Sequence, residues 1–162
     1  MARMAAERID WIVVFDGAKA LLFENEGFSD APDFKLLEKD EIDTPPDRDL
    51  KTDAPGRSAD NGHGQRSAMD ETDFHEQQET RFVKRVAESL NHSAMENKFD
   101  RLYVFGATSS LGTFRDNLHE KVTEKIAREI HGDYVNHPVK KLEERFKKEL
   151  APPKEEFEIP GG

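Results

Sequence analysis

The residues best suited to chemistry lie together between Ala54 and His75. Within this stretch Gly56-Arg57-Ser58, Asn61-Gly62 and His63-Gly64-Gln65-Arg66 set guanidinium, imidazole and amide groups among glycines. Two arginines and one acid, Asp60, occupy Pro55–Ala68, in a chain whose formal net charge is −10. Arginine presents a fork of donors that matches phosphate oxygens, and glycine lets backbone amides approach an anion closely. A segment this poor in apolar side chains cannot bury itself. It is either a polar connection whose glycines permit turns or a loop that contacts a ligand. Long irregular segments in compact domains are disproportionately functional, so the second reading is preferred. The candidate polyanion contacts are Arg57, Ser58, His63, Gly64 and Arg66.

Other candidates are weaker. None of the six histidines stands in H-x-x-x-H spacing, and His75-Glu76 continues as Gln77-Gln78-Glu79 rather than into the zinc-protease pattern. With no cysteine, thiolate ligands and disulfides are unavailable. No metal and no cofactor is expected. Gly106…Gly112 follows a strand-like run but fits neither the dinucleotide nor the P-loop spacing. It reads as a tight turn, with a weak anion preference at Thr108–Ser110 as the alternative. Ser109 and Ser110 lack the nucleophile elbow of hydrolases.

The rest of the chain must position the central stretch. A length of 162 residues suits one domain. Its 35% hydrophobic content is low, but the apolar residues cluster at Ile9–Phe15, Ala20–Phe23, Phe82–Leu90 and Leu102–Phe105, which is enough for a core. The excess of 34 acids over 24 bases argues against non-specific coating of nucleic acid, while leaving room for a small basic site. The opening residues lack the apolar region of a signal peptide, and no apolar run reaches membrane-spanning length. A cytoplasmic protein without a membrane anchor is expected.

Ile9–Phe15 and Ala18–Glu24 read as strands joined by Asp16-Gly17, a type I′ hairpin signal. Phe34–Ile42 reads as a third strand, and Pro45-Pro46 bars regular structure immediately after it. The spacing of Asp73 and Glu76 marks a capping box, and Phe82, Val86 and Leu90, widened by Val83 and Ala87, form an amphipathic helix ending at Asn91-His92-Ser93. Arg101–Phe105 reads as a buried central strand feeding a helix from about Leu111. Ile126–Ile130 either continues that helix or forms a last strand, and the strand is preferred because the sheet needs a return. After Pro138, Val139, Leu142, Phe146 and Leu150 line a final helix, stopped by Pro152-Pro153.

Taken together, these residues resemble the bacterial host attachment protein family ("protein required for attachment to host cells"). The likeness rests on Trp11…Asp16-Gly17-Ala18, Gly56-Arg57-Ser58, His75 leading into a helix, Leu111-Gly112 at the βα turn, and His137-Pro138…Leu142-Glu143-Glu144-Arg145. That family is in turn similar to the middle domain of eukaryotic and archaeal class-1 peptide-chain release factors. In those factors a Gly-Gly-Gln loop, then Ser-Ala and a long helix, enters the peptidyl-transferase centre and helps water attack the peptidyl-tRNA ester. Here Gly64-Gln65 is followed by Arg66-Ser67-Ala68; His63 replaces the first glycine and Arg66 intervenes before Ser-Ala.

The resemblance implies one α/β domain over residues 1–150, with a mixed sheet of about five strands flanked by helices in a release-factor middle-domain-like (RNase H-like) arrangement. The composition of the central stretch predicts a long flexible loop at about 43–72, and a disordered tail is expected at 151–162. The implied function is a non-enzymatic module that binds RNA or the ribosome through Arg57, Ser58, His63, Gly64 and Arg66, with an indirect role in host attachment. The alternatives are release-factor-like hydrolysis of peptidyl- or aminoacyl-tRNA esters with Gln65 as catalytic residue, or a direct adhesion factor.

Overall fold

A central strand buried on both faces must be apolar along its buried length, and β1 (Asp10–Phe15, DWIVVF) is apolar from Trp11 to Phe15, the five residues of it that are buried. The computed structural model describes residues 8–42 and 68–151, with backbone alone for 68–72. The other strands are β2 (Lys19–Asn25), β3 (Phe34–Glu41), β4 (Arg101–Gly106) and β5 (Ile126–His131). The helices are α1 (Ala68–Met95), α2 (Thr108–Asp116), α3 (Glu120–Thr123) and α4 (Val139–Leu150). The five strands form one mixed sheet in the order β3-β2-β1-β4-β5. β2 runs antiparallel to β1 and β3, whereas β1, β4 and β5 are parallel.

One face of the sheet carries Trp11, Val13 and Phe15, covered by Phe82, Val83, Val86 and Leu90 of α1 and by Leu111 and Phe114 of α2. The opposite face carries Ile12, Val14, Phe23, Phe34, Tyr103 and Phe105, covered by Leu142 and Phe146 of α4. Alternate residues of β1 thus belong to different cores, as the period of a strand requires. β4 is packed in the same way. Gly106 at its end is a point of close approach, since an added Cβ would lie 2.7 Å from Leu111 Cδ2 and 2.9 Å from Phe15 Cζ.

Several expectations are corrected. The Asp16-Gly17 hairpin forms, but not with a type I′ turn. Phe15 pairs with Ala20, so Gly17-Ala18 is the connection, and among the described residues only Asn97 and Gly132 have positive φ. Asp16 shapes the turn instead: its Oδ1 accepts from the Ala18 and Lys19 N–H groups at 2.8 and 2.9 Å. α1 starts at Ala68, so Asp73 and Glu76 lie within it rather than capping it, and the loop expected to reach residue 72 gives way to helix at 68. α1 also passes Ser93, because buried Ala94 extends its apolar stripe. It closes on Asn97 (φ 55°), with Lys98 N–H donating to Ser93 C=O (3.0 Å) and Asn97 N–H to Ala94 C=O (2.9 Å), a Schellman ending. Ile126–His131 is a strand, as preferred. Gly112 sits inside α2 with open space around it, not in the βα turn. The expected tail from 152 onward lies outside the described residues.

α4 crosses its face from β3 to β5. Glu143 Oε2 accepts from the Phe34 N–H at 2.8 Å, and Arg128 Nη1 donates to the Glu149 carbonyl at 2.7 Å. Between these anchors the Phe146 ring meets Phe34 and Tyr103 edge-on, with centroids 5.1 and 4.8 Å apart. Phe146→Ala should therefore lower unfolding free energy by about 3–5 kcal/mol in urea titration. A loss below about 1 kcal/mol would mean that α4 is not held by this ring cluster.

Candidate functional site

The parallel strands β1, β4 and β5 end on one edge of the sheet, at Phe15, Gly106 and His131. Open sheets with parallel strands present their ligand sites along such an edge. β3 leaves the sheet there too, where the Ile42 N–H donates to the Ala18 carbonyl at 3.0 Å. α1 reaches the same edge from the other direction. Glu79 crosses Gly17 so closely that a Cβ on Gly17 would lie 2.8 Å from Glu79 Cγ and 3.0 Å from Glu79 Cβ.

From this crossing the helix carries on past the sheet. At 1.5 Å per residue, its start at Ala68 lies about 16 Å beyond Gly17. Asp73 to Gln77 are all exposed; Phe74 is 54% exposed, and its ring centroid is 6.0 Å from that of His75. The span 68–81 holds five acids against Arg81 alone, so the projecting end of α1 is acidic.

Arg57, Ser58, His63, Gly64, Gln65 and Arg66 all lie outside the described residues. What the structure defines is the pair of attachment points: Ile42, pinned to the β1–β2 turn, and Ala68, at the far end of the projecting helix. His75 is on that helix, about two turns from its start. Thr108–Ser110, expected as a turn, is the first turn of α2, with Ala107 at its N-cap and no side-chain cap. Among the described residues no group of three His, Asp or Glu side chains is arranged to hold a metal, and no helix is long and apolar enough to cross a membrane.

Three features escaped the sequence reading. A cleft of about 270 Å³ lies between α1 and β2–β3, with Ala20, Leu22, Val86 and Leu90 on its walls. Arg85 bridges its rim through two bonds of 3.1 Å to Asp40. Asn91 ties α1 to the α2–α3 turn, donating to the Asn117 carbonyl at 2.9 Å and accepting from the His119 N–H at 2.7 Å. The one available signal was an amide side chain next to the last strong apolar position of the stripe. The pairing of Glu79 with Gly17 has no sequence signal at all.

Residues 10–146 match the family described as "Bacterial archaeo-eukaryotic release factor family 12". The chain belongs to this family. It is a release-factor-like α/β module, of a class tied by its description to translation. A comparison with curated proteins yields no match. Among solved structures the chain is similar to an archaeal translation termination factor, aRF1, at 13% identity and a TM-score of 0.47. The alignment covers 87% of this chain and 37% of that one, so the chain spans well under half of that factor's length.

In this family 12 chain the seat of the projecting helix is testable. Gly17→Ala should destabilise the fold by about 1–3 kcal/mol through overpacking against α1. Combining it with Glu79→Ala should restore part of the loss, because Cγ and Cδ of Glu79 are then gone. Additive effects of the two substitutions in a double-mutant cycle would show that the contact does not seat the helix.

Proposed function

We propose that this release-factor family member is a ribosome-associated module that offers Arg57, Ser58, His63, Gly64 and Arg66 to RNA. The observation that supports it is the start of α1 at Ala68, directly after Gly64-Gln65-Arg66-Ser67, on a helix that clears the sheet edge. A rigid helix of this kind suits delivery of a short segment into a recess that the body cannot enter. The five acids of 68–81 oppose long-range attraction to phosphate, and at physiological salt fields decay within about 8 Å. The arginines therefore act at contact distance, through paired hydrogen bonds rather than through a broad positive field. Acting in the cytoplasm, the protein influences attachment to host cells indirectly, through the synthesis of other proteins. A direct adhesion role requires surface exposure, which cell fractionation reads out.

A second reading rests on the same junction. Gln65 stands three residues before the helix start, and its amide, with neighbouring backbone N–H groups, is suited to orient a water at a peptidyl- or aminoacyl-tRNA ester. That contribution is positional and electrostatic and needs no titrating side chain.

Arg57→Glu combined with Arg66→Glu should reduce co-sedimentation with ribosomes at least about tenfold, since each contact to a charged group is worth about 1.5–3 kcal/mol. Undiminished sedimentation of that variant would remove the segment from the interface. Gln65→Ala should leave sedimentation intact and abolish peptide release from a peptidyl-tRNA–ribosome complex if the hydrolytic reading holds. Equal release by both proteins would confine the chain to binding.

A further inference from the structure

We propose that the solvent face of α4 is an RNA-backbone contact, a second attachment point that rests on the ribosome reading above. α4 turns Leu142 and Phe146 inward and leaves Lys140, Lys141, Glu144, Lys147 and Lys148 exposed. Its other acids are engaged: Glu143 Oε2 accepts from the Phe34 N–H at 2.8 Å, and Glu149 pairs with Arg145 at 2.6 Å. None of the four lysines is ion-paired with a described residue. The face thus presents four positive charges against Glu144, in a chain of net charge −10. α1, more than twice as long, shows the opposite balance of six acids to three Lys and Arg.

Solvation alone accounts for lysines on many helices, but it does not account for their positions here. The first turn of α4 contains Lys140 and Lys141, no acid, and no side-chain cap after Pro138. Positive charge at a helix N-terminus opposes the macrodipole and costs about 0.3–1 kcal/mol per charge. No contact among the described residues offsets that cost, and a local rule broken without structural gain points to function. The pairs 140/141 and 147/148 are two helical turns apart, about 10 Å along the axis, within the span of a few nucleotides. Lysine suits this role because it meets phosphate as a point charge, without demanding base identity. The surface lies across the sheet from α1, so the body could rest on an RNA backbone while the projecting helix points elsewhere.

The test replaces all four lysines (Lys140→Gln, Lys141→Gln, Lys147→Gln, Lys148→Gln) in the full chain. It measures binding to purified ribosomes and to protein-free ribosomal RNA across a salt titration. Binding should weaken at least about tenfold, and the log–log salt slope should fall by about 3, while the four Lys→Arg changes keep both near wild type. An unchanged affinity and slope, with the wild-type chain bound to ribosomes, overturns this contact and leaves the ribosome reading standing. Lysine-dependent capture of free RNA without ribosome binding sinks the ribosome reading and supports this surface. Lysine-dependent binding that survives nuclease digestion assigns the face to an acidic protein and overturns the proposal.

Discussion

The seating of α1 on the sheet is the constraint on which the remainder of the structure depends. Phe82, Val83, Val86 and Leu90 are all at most 7% exposed, and their burial contributes about 6–12 kcal/mol before conformational entropy is set against it. That apolar stripe sets the helix axis, and Gly17 sets its height at the sheet edge, because only a residue without Cβ lets Glu79 pass. The far end of the helix is then placed by rigid extension. So is the point at which the chain returns after residue 67.

The same packing explains the division of labour between the two faces. One face is covered by α1 and α2, which are coupled through Asn91 and the α2–α3 turn. The other is covered by α4, held at one end by Glu143 and at the other by Arg128. The edge strand β3 contributes little to either core beyond Phe34. Its alternating charges and the register shift opposite Leu22/Phe23 discourage pairing with another strand. Charge is segregated as well: the projecting end of α1 is acidic, whereas the outer face of α4 is basic. An acidic chain can keep its solubility and still hold one surface for a polyanion, because the two are separated by more than a screening length.

Much of the fold was legible in the sequence. Among the described residues, periodicity or an unbroken apolar run located four of the strands and each helix of more than one turn, since burial on one or two faces leaves such a pattern. β5 instead followed from the need for a return strand, because its spacing also continued the stripe of the preceding helix. Local signals read without their partners were the weak point. Asp73 and Glu76 have capping-box spacing, yet the helix forms upstream of them. Asp16-Gly17 has hairpin identity, yet its register places Gly17-Ala18 at the tip and assigns Asp16 a side-chain bonding role. Val139 fits the stripe of α4 but is 40% exposed, because the helix meets the sheet only from Leu142 onward.

By itself the sequence determined the order of the strands and longer helices, the apolar runs that supply the core and the residues available for chemistry, because these depend on side-chain type and spacing along one chain. It also carried the release-factor likeness, through Gly64-Gln65 and the helix after it. Only the tertiary structure decided where that helix leaves the body, which glycine admits it, and which lysines of α4 pair with no described residue. Those outcomes depend on atoms that are distant in sequence but meet within a few ångströms, such as Gly17 with Glu79 and Phe34 with Glu143. No local pattern encodes the distance between residues that become neighbours only after the chain has folded.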